Sequence, residues 1–120
     1  MTTEEKIAYM LEVIQETKEY YADGTKYGYD PETDKCLYLA PNGNQCAFGR
    51  RCNEVDAKYN EERASILLSL LGKEILKDER DRELCTRFWD VLQRVHDNAA
   101  RGWRWDDIYL IQRVNGGYYD

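Results

Sequence analysis

The chain has 120 residues, 42% hydrophobic and 33% charged, with a formal net charge of −6 and a pI near 4.9. That length suits one domain with a modest core, and the acidic balance excludes a general DNA or RNA binder, which needs a broad basic field. No apolar run approaches the ~18 residues of a membrane span, and no secretory leader follows the polar start Met1-Thr2-Thr3-Glu4-Glu5-Lys6, so the sequence predicts a cytoplasmic protein.

Thr2 caps a first helix, and Glu5 closes a capping box three residues on. Ile7, Met10, Leu11 and Ile14 supply the helical period, widened by Val13, Thr17 and Tyr21. Asp23-Gly24 stops it, which predicts a helix over 4–22. The loop from Thr25 to Lys35 is polar, but Tyr27, Gly28, Tyr29, Asp30 and Pro31 point to ordered turns. Tyr20, Tyr21, Tyr27 and Tyr29 cluster there, and phenols are common both at binding surfaces and as lids on a small core.

Cys36 to Cys52 predicts a β-hairpin. Two apolar runs, Cys36–Ala40 and Gln45–Phe48, flank Pro41-Asn42-Gly43-Asn44, and Asn42-Gly43 suits a tight turn. In that register Leu37, Leu39, Cys46 and Phe48 share the core face, while Cys36, Tyr38 and Ala47 share the other. A three-residue turn, Asn42 to Asn44, would bring Cys36 and Cys46 to one face instead. A two-stranded hairpin is marginal alone, so helices must cover it. Beyond it, Arg50 and Arg51 are the only adjacent basic pair, able to receive a phosphate or carboxylate or to pair with nearby acids.

Asn53-Glu54-Val55-Asp56 starts a short helix, with Asn53 as its cap. Asn60 caps the next, with Glu61 and Glu62 in its first turn and Ile66, Leu67, Leu70 and Leu71 forming a broad apolar face before Gly72. Asp78 opens a helix over 79–98. Leu84, Phe88, Val91, Leu92 and Val95 line one side of it, with Cys85 and Trp89 beside them. Trp103, Trp105 and Asp106 lead into a last helix near 107–115, lined by Ile108, Ile111 and Val114. Gly116-Gly117 ends it, and the tail Tyr118-Tyr119-Asp120 is either frayed or pinned by its tyrosines. The fold class is therefore α+β: a two-stranded antiparallel β-hairpin packed against four or five α-helices.

The four cysteines, Cys36, Cys46, Cys52 and Cys85, are separated by nine, five and 32 residues. None of these spacings makes a zinc knuckle. A zinc site would need Cys36, Cys46 and Cys52, with Cys85 or His96 as the fourth ligand. The tight-turn register opposes it, and free thiols with no cofactor or metal are expected. His96 is the only histidine. Asp97 follows it, but neighbours on a helix do not face each other, so the spacing gives no dyad. Catalysis there would need a group from elsewhere, such as Cys46 or Cys52. Phosphate-loop, HExxH and GxSxG motifs are missing, and the chain reads as non-catalytic.

Two segments carry a resemblance. Residues 36–50, C-L-Y-L-A-P-N-G-N-Q-C-A-F-G-R, resemble a segment of small uncharacterised phage and prophage proteins, and L-Q-R-V-H-D-N-A-A, residues 92–100, resembles their later L-Q-x-x-H-D-x-A stretch. Where this chain continues with Arg50, Arg51 and Cys52, such proteins often continue with an apolar strand end. The resemblance implies a phage-type origin and gives His96 and Asp97 weight, either as chemistry or as a clasp between helix and hairpin. The expected function is non-catalytic binding of a host protein in the host cytoplasm. Its surface would join Tyr27, Tyr29 and Tyr38 to Trp103 and Trp105, in a monomer or a homodimer paired through the hairpin edge. The alternatives are a nucleotide or other small anionic ligand held by Arg50 and Arg51, and a structural zinc protein.

Overall fold

The computed structural model describes residues 1–117. Helix α1 spans Thr3–Tyr20 and starts on the predicted capping box: Thr2 Oγ1 accepts the Glu5 N–H at 3.1 Å, and Glu5 accepts the Thr2 N–H at 3.1 Å. Strands β1 (Tyr29–Asp30) and β2 (Lys35–Cys36) form a two-stranded antiparallel sheet, with Tyr29 opposite Cys36 and Asp30 opposite Lys35. Helices α2 (Ala64–Leu71), α3 (Glu79–Arg82), α4 (Thr86–Ala100) and α5 (Asp107–Asn115) follow, and the fold is α+β. The expected tail, Tyr118-Tyr119-Asp120, lies outside the described residues.

The strand pair sits earlier than predicted. Its turn is Pro31–Asp34, where Asp30 Oδ1 accepts the Glu32 N–H at 3.0 Å and Asp34 adopts φ 55°. Residues 36–48 keep only the tip of the expected hairpin. The Ala40 N–H bonds to the Asn44 carbonyl, the Gly43 N–H bonds to the Ala40 carbonyl, and Gly43 sits at φ 88°. The loop is thus Pro41–Gly43, neither of the two weighed from the sequence.

No ladder extends from this tip because the backbone donors go elsewhere. Leu37 N–H bonds to the Gly28 carbonyl, Leu39 N–H to Asn60 Oδ1, and Phe48 N–H to Gln93 Oε1. The face assignment changes accordingly. Cys46 and Phe48 are buried as expected, but Tyr38 is buried and Leu39 is 48% exposed. The chain then enters a 3-10 turn, Gly49–Arg51, and Cys52 bridges to Leu76.

Two helices begin away from their expected caps. Asn53 starts nothing; a 3-10 turn, Ala57–Tyr59, begins instead after Asp56. Asn60, Glu61 and Glu62 precede α2 rather than forming its first turn. The capping acceptor comes from α4: Asp90 Oδ1 takes the Ser65 N–H at 2.9 Å. The predicted 79–98 helix breaks between α3 and α4, where Cys85 is extended. Tertiary ties hold this break. Asp81 accepts from Tyr9 and Arg51, and Arg82 Nε donates to the Leu76 carbonyl at 3.0 Å.

The core gathers Met10, Val13 and Tyr21 of the first helix and its end, Phe48, Leu67, and Phe88, Trp89 and Leu92 of α4. In α5 the buried face is Leu110 and Val114, while Ile108 and Ile111 are exposed. Packing on α1, reinforced by a Lys18–Asp107 ion pair, selects that face.

Candidate functional site

The two segments that carried the resemblance meet in space. Gln93, His96 and Asp97 sit three and four residues apart on α4, a spacing that puts side chains on one face. Gln93 Oε1 accepts the Phe48 N–H at 2.9 Å. That fixes the amide, so Nε2 donates to Asp97 Oδ1 at 2.7 Å. His96 is fully buried, and its Nδ1 lies 2.9 Å from the same carboxylate oxygen. Its Nε2 accepts the Gly28 N–H at 3.3 Å. One helix face therefore clamps two loop segments through their backbone amides.

This corrects the expectation that His96 and Asp97 do not pair. Adjacent Cα–Cβ directions on a helix diverge by about 100°. Nδ1, however, is the ring nitrogen nearer the backbone, and a short carboxylate on the next residue reaches it. The Gln93–Asp97 and Gln93–His96 spacings carried the signal for the clasp. The contribution of Gly28 had no signal in the motif.

The backbone around the clasp is tightly crossed. A Cβ on Gly28 would collide with the backbone of Leu37, Gln45 and Cys46, and one on Gly49 would collide with the backbone of Tyr38. Tyr21 lies edge-on to the His96 ring at 4.8 Å and stacks on Tyr27 at 5.0 Å. The imidazole is thus enclosed by aromatic rings and backbone.

Cys36 completes a potential donor set. Its sulfur, a nitrogen of His96 and a carboxylate oxygen of Asp97 lie within 4.8 Å of one another, a grouping different from the cysteine set considered above. The hydrogen bonds do not fit a metal there. Gly28 N–H can only donate, so Nε2 is unprotonated and Nδ1 carries the hydrogen that faces Asp97. A metal on Nδ1 would require Nε2–H, which would then oppose the Gly28 N–H. Metal-bound histidines instead donate their second N–H to an acceptor. Burial, with Asp97 adding to it, pushes the Cys36 thiol up to about 12, so it is no ready thiolate.

Beside the clasp lies a cleft of about 400 Å³ between the Asn60–Ala64 segment and α4, with Cys36, Tyr38 and Asp97 among its walls. Arg50 and Arg51 lie apart from it. Arg50 makes a two-pronged contact with Glu16 at 2.8 and 2.6 Å. Arg51 bonds to Glu16 at 2.7 Å and to Asp81 at 3.1 and 3.2 Å. Lys77 and Asp78 join them around a shallow depression of about 260 Å³. Carboxylates of the chain itself thus occupy the guanidinium positions that an anionic ligand would use.

The aromatic candidates are scattered in exposure. Tyr38 is only 4% exposed and donates its hydroxyl to the Glu62 carbonyl, which removes it from any surface patch. Tyr27 is half-buried in its stack. Tyr29 donates to Asp34 Oδ1 at 2.5 Å, and half-buried Trp105 donates to Asp107 at 2.8 Å. Trp103 is 74% exposed.

The sequence marked the apolar face of α2 but not which part of it stays exposed. Helix α2, A-S-I-L-L-S-L-L, buries Ala64, Leu67 and Leu68. Ile66 and Leu70 face away from the core and are 41% and 62% exposed; Leu71, at the end of the helix, is also exposed. No protein-family model matches the chain, and neither the curated proteins nor the solved structures contain a match. Among the described residues, no helix is long and apolar enough to cross a membrane.

Proposed function

We propose that the protein acts without catalysis, by binding a protein of the host cell through the outer face of α2, as a small phage-type accessory factor or inhibitor in the host cytoplasm. The observation that carries this reading is the uncovered pair Ile66 and Leu70 on a helix that is apolar nearly all round. Helices of that composition are normally enclosed, and contiguous exposed apolar surface marks interaction sites. Fully burying a leucine or isoleucine side chain is worth about 2 kcal/mol, so covering what remains exposed of Ile66 and Leu70 adds about 1 kcal/mol each, a share of a moderate affinity. The formal charge of −6 favours a partner with a basic rim around its groove.

The saturated clasp supports a non-catalytic role. Both nitrogens of His96 are committed, and the Cys36 thiol is held protonated. The test is affinity capture from host lysate, followed by reconstitution of the complex from purified components. Wild-type protein is expected to retain one partner at fixed stoichiometry. The Ile66→Ser/Leu70→Ser double variant is expected to lose it while keeping its thermal midpoint, because both side chains are already exposed. Failure to capture any reproducible partner, or capture unchanged by the double variant, would overturn the reading.

A further inference from the structure

We infer that the cleft between the Asn60–Ala64 segment and α4 binds a small zwitterion of the amino-acid or dipeptide class, independently of the α2 surface. At about 400 Å³ the cleft has the size of a small-molecule site. Several of its charges are already committed. Glu61 pairs with Lys35 at 2.7 Å, Arg101 pairs with Asp34 at 3.1 Å, and Asp90 caps α2 through Ser65.

Asp97, Arg63 and Arg94 are among the lining groups left for a ligand, and the Glu62 carboxylate is also unpaired among the described residues. Asp97 uses Oδ1 for Gln93 and His96, while Oδ2 takes no hydrogen bond among the described residues. Arg63 and Arg94 have no hydrogen bond or ion pair for their guanidinium groups among those residues. The carboxylate is pre-organised, since Gln93 is anchored by Phe48 and His96 by Gly28. A group held by its own partners loses little freedom when a ligand arrives. Oδ2 then accepts from a ligand ammonium, and the two guanidinium groups receive its carboxylate.

The same lining disfavours the simpler ligand classes. Asp90, Asp97 and Glu62 oppose a bare anion, and Arg63 and Arg94 oppose a bare cation. A nucleobase lacks a platform, because Tyr38, the only aromatic residue in the lining among the described residues, is buried.

The experiment is calorimetric titration of the intact protein with the L-amino acids and a set of dipeptides. Acetate, phosphate and methylamine serve as single-charge controls. At least one zwitterion is expected to bind with sub-millimolar affinity, well ahead of every control. Asp97→Asn and Arg94→Ala are each expected to weaken binding at least tenfold. Arg94 is exposed, so its variant keeps the test valid if Asp97→Asn loosens the fold. The Ile66→Ser/Leu70→Ser variant should bind the zwitterion normally, which separates this site from the α2 surface. No binding by any zwitterion, equal binding by a control, or affinity unchanged in Arg94→Ala would overturn the proposal.

Discussion

The Gly28 amide donates to Nε2 of His96 across a sequence separation of 68 residues. This bond selects the histidine tautomer, because an amide N–H cannot accept. Nitrogen NMR of the folded protein is expected to show His96 protonated at Nδ1 and bare at Nε2. Replacing His96 by alanine leaves the Gly28 N–H buried without a partner, strips Asp97 of one donor and opens a cavity. The expected loss is about 3 kcal/mol, read from denaturant midpoints. A loss under about 0.5 kcal/mol, in the range of ordinary surface changes, or a protonated Nε2 would refute this account.

Three glycines should separate by mechanism. At Gly28 and Gly49 an added Cβ meets backbone atoms, which cannot move aside like a flexible side chain. Gly28→Ala and Gly49→Ala are each expected to cost several times more than Gly43→Ala. At Gly43 nothing lies near the new Cβ, and only its φ of 88° opposes the change, at about 1 kcal/mol. Chemical denaturation of the three variants side by side checks the ranking, and Gly43→Ala as the worst of the three would reverse it.

The acid–base cluster around Arg51 gives two opposite pH signatures. Hydrogen bonding to Arg50 holds the Glu16 carboxyl below its ordinary value of 4.5, with Arg51 adding to the effect. Glu16 therefore contributes stability that is present above pH ~4.5 and fades as the pH falls through its lower folded value. Burial raises Asp81 despite Tyr9 and Arg51. Its ionised form thus carries a cost that appears as the pH rises from about 3.8 through its higher folded value. Unfolding curves between pH 2 and 7 are expected to show a flatter acid limb in Glu16→Gln than in wild type. In Asp81→Asn that limb should steepen, because a compensating proton uptake is gone. Identical limbs in all three proteins would contradict the assignment. At neutral pH, Arg51→Ala should cost about 3 kcal/mol, since it leaves the fully buried Asp81 without its cation.

Interactions closed within a few residues were legible in the sequence. The Thr2–Glu5 box, the helix start at Asp78, the stop at Gly72 and the span of α5 all lie where the sequence places them. Each depends on a side chain meeting an amide at most three residues away, or on one glycine dihedral. The α+β class followed from the same local signals, although the paired strands formed at Tyr29–Asp30 and Lys35–Cys36 instead of across Pro41–Gly43. Partners far along the chain decided the rest. Leu37 N–H chose Gly28, Leu39 N–H chose Asn60, and Phe48 N–H chose Gln93, which dissolved the expected ladder. Sequence period shows that α2 and α5 have apolar positions, but a helix apolar on several sides can turn any of them inward. Packing on neighbouring helices left Ile66, Leu70, Ile108 and Ile111 outside. His96 and Asp97 stood out as residues, yet the roles of their atoms came only from Gly28 and Gln93, because a tautomer is set by whichever donor or acceptor the fold brings to each ring nitrogen.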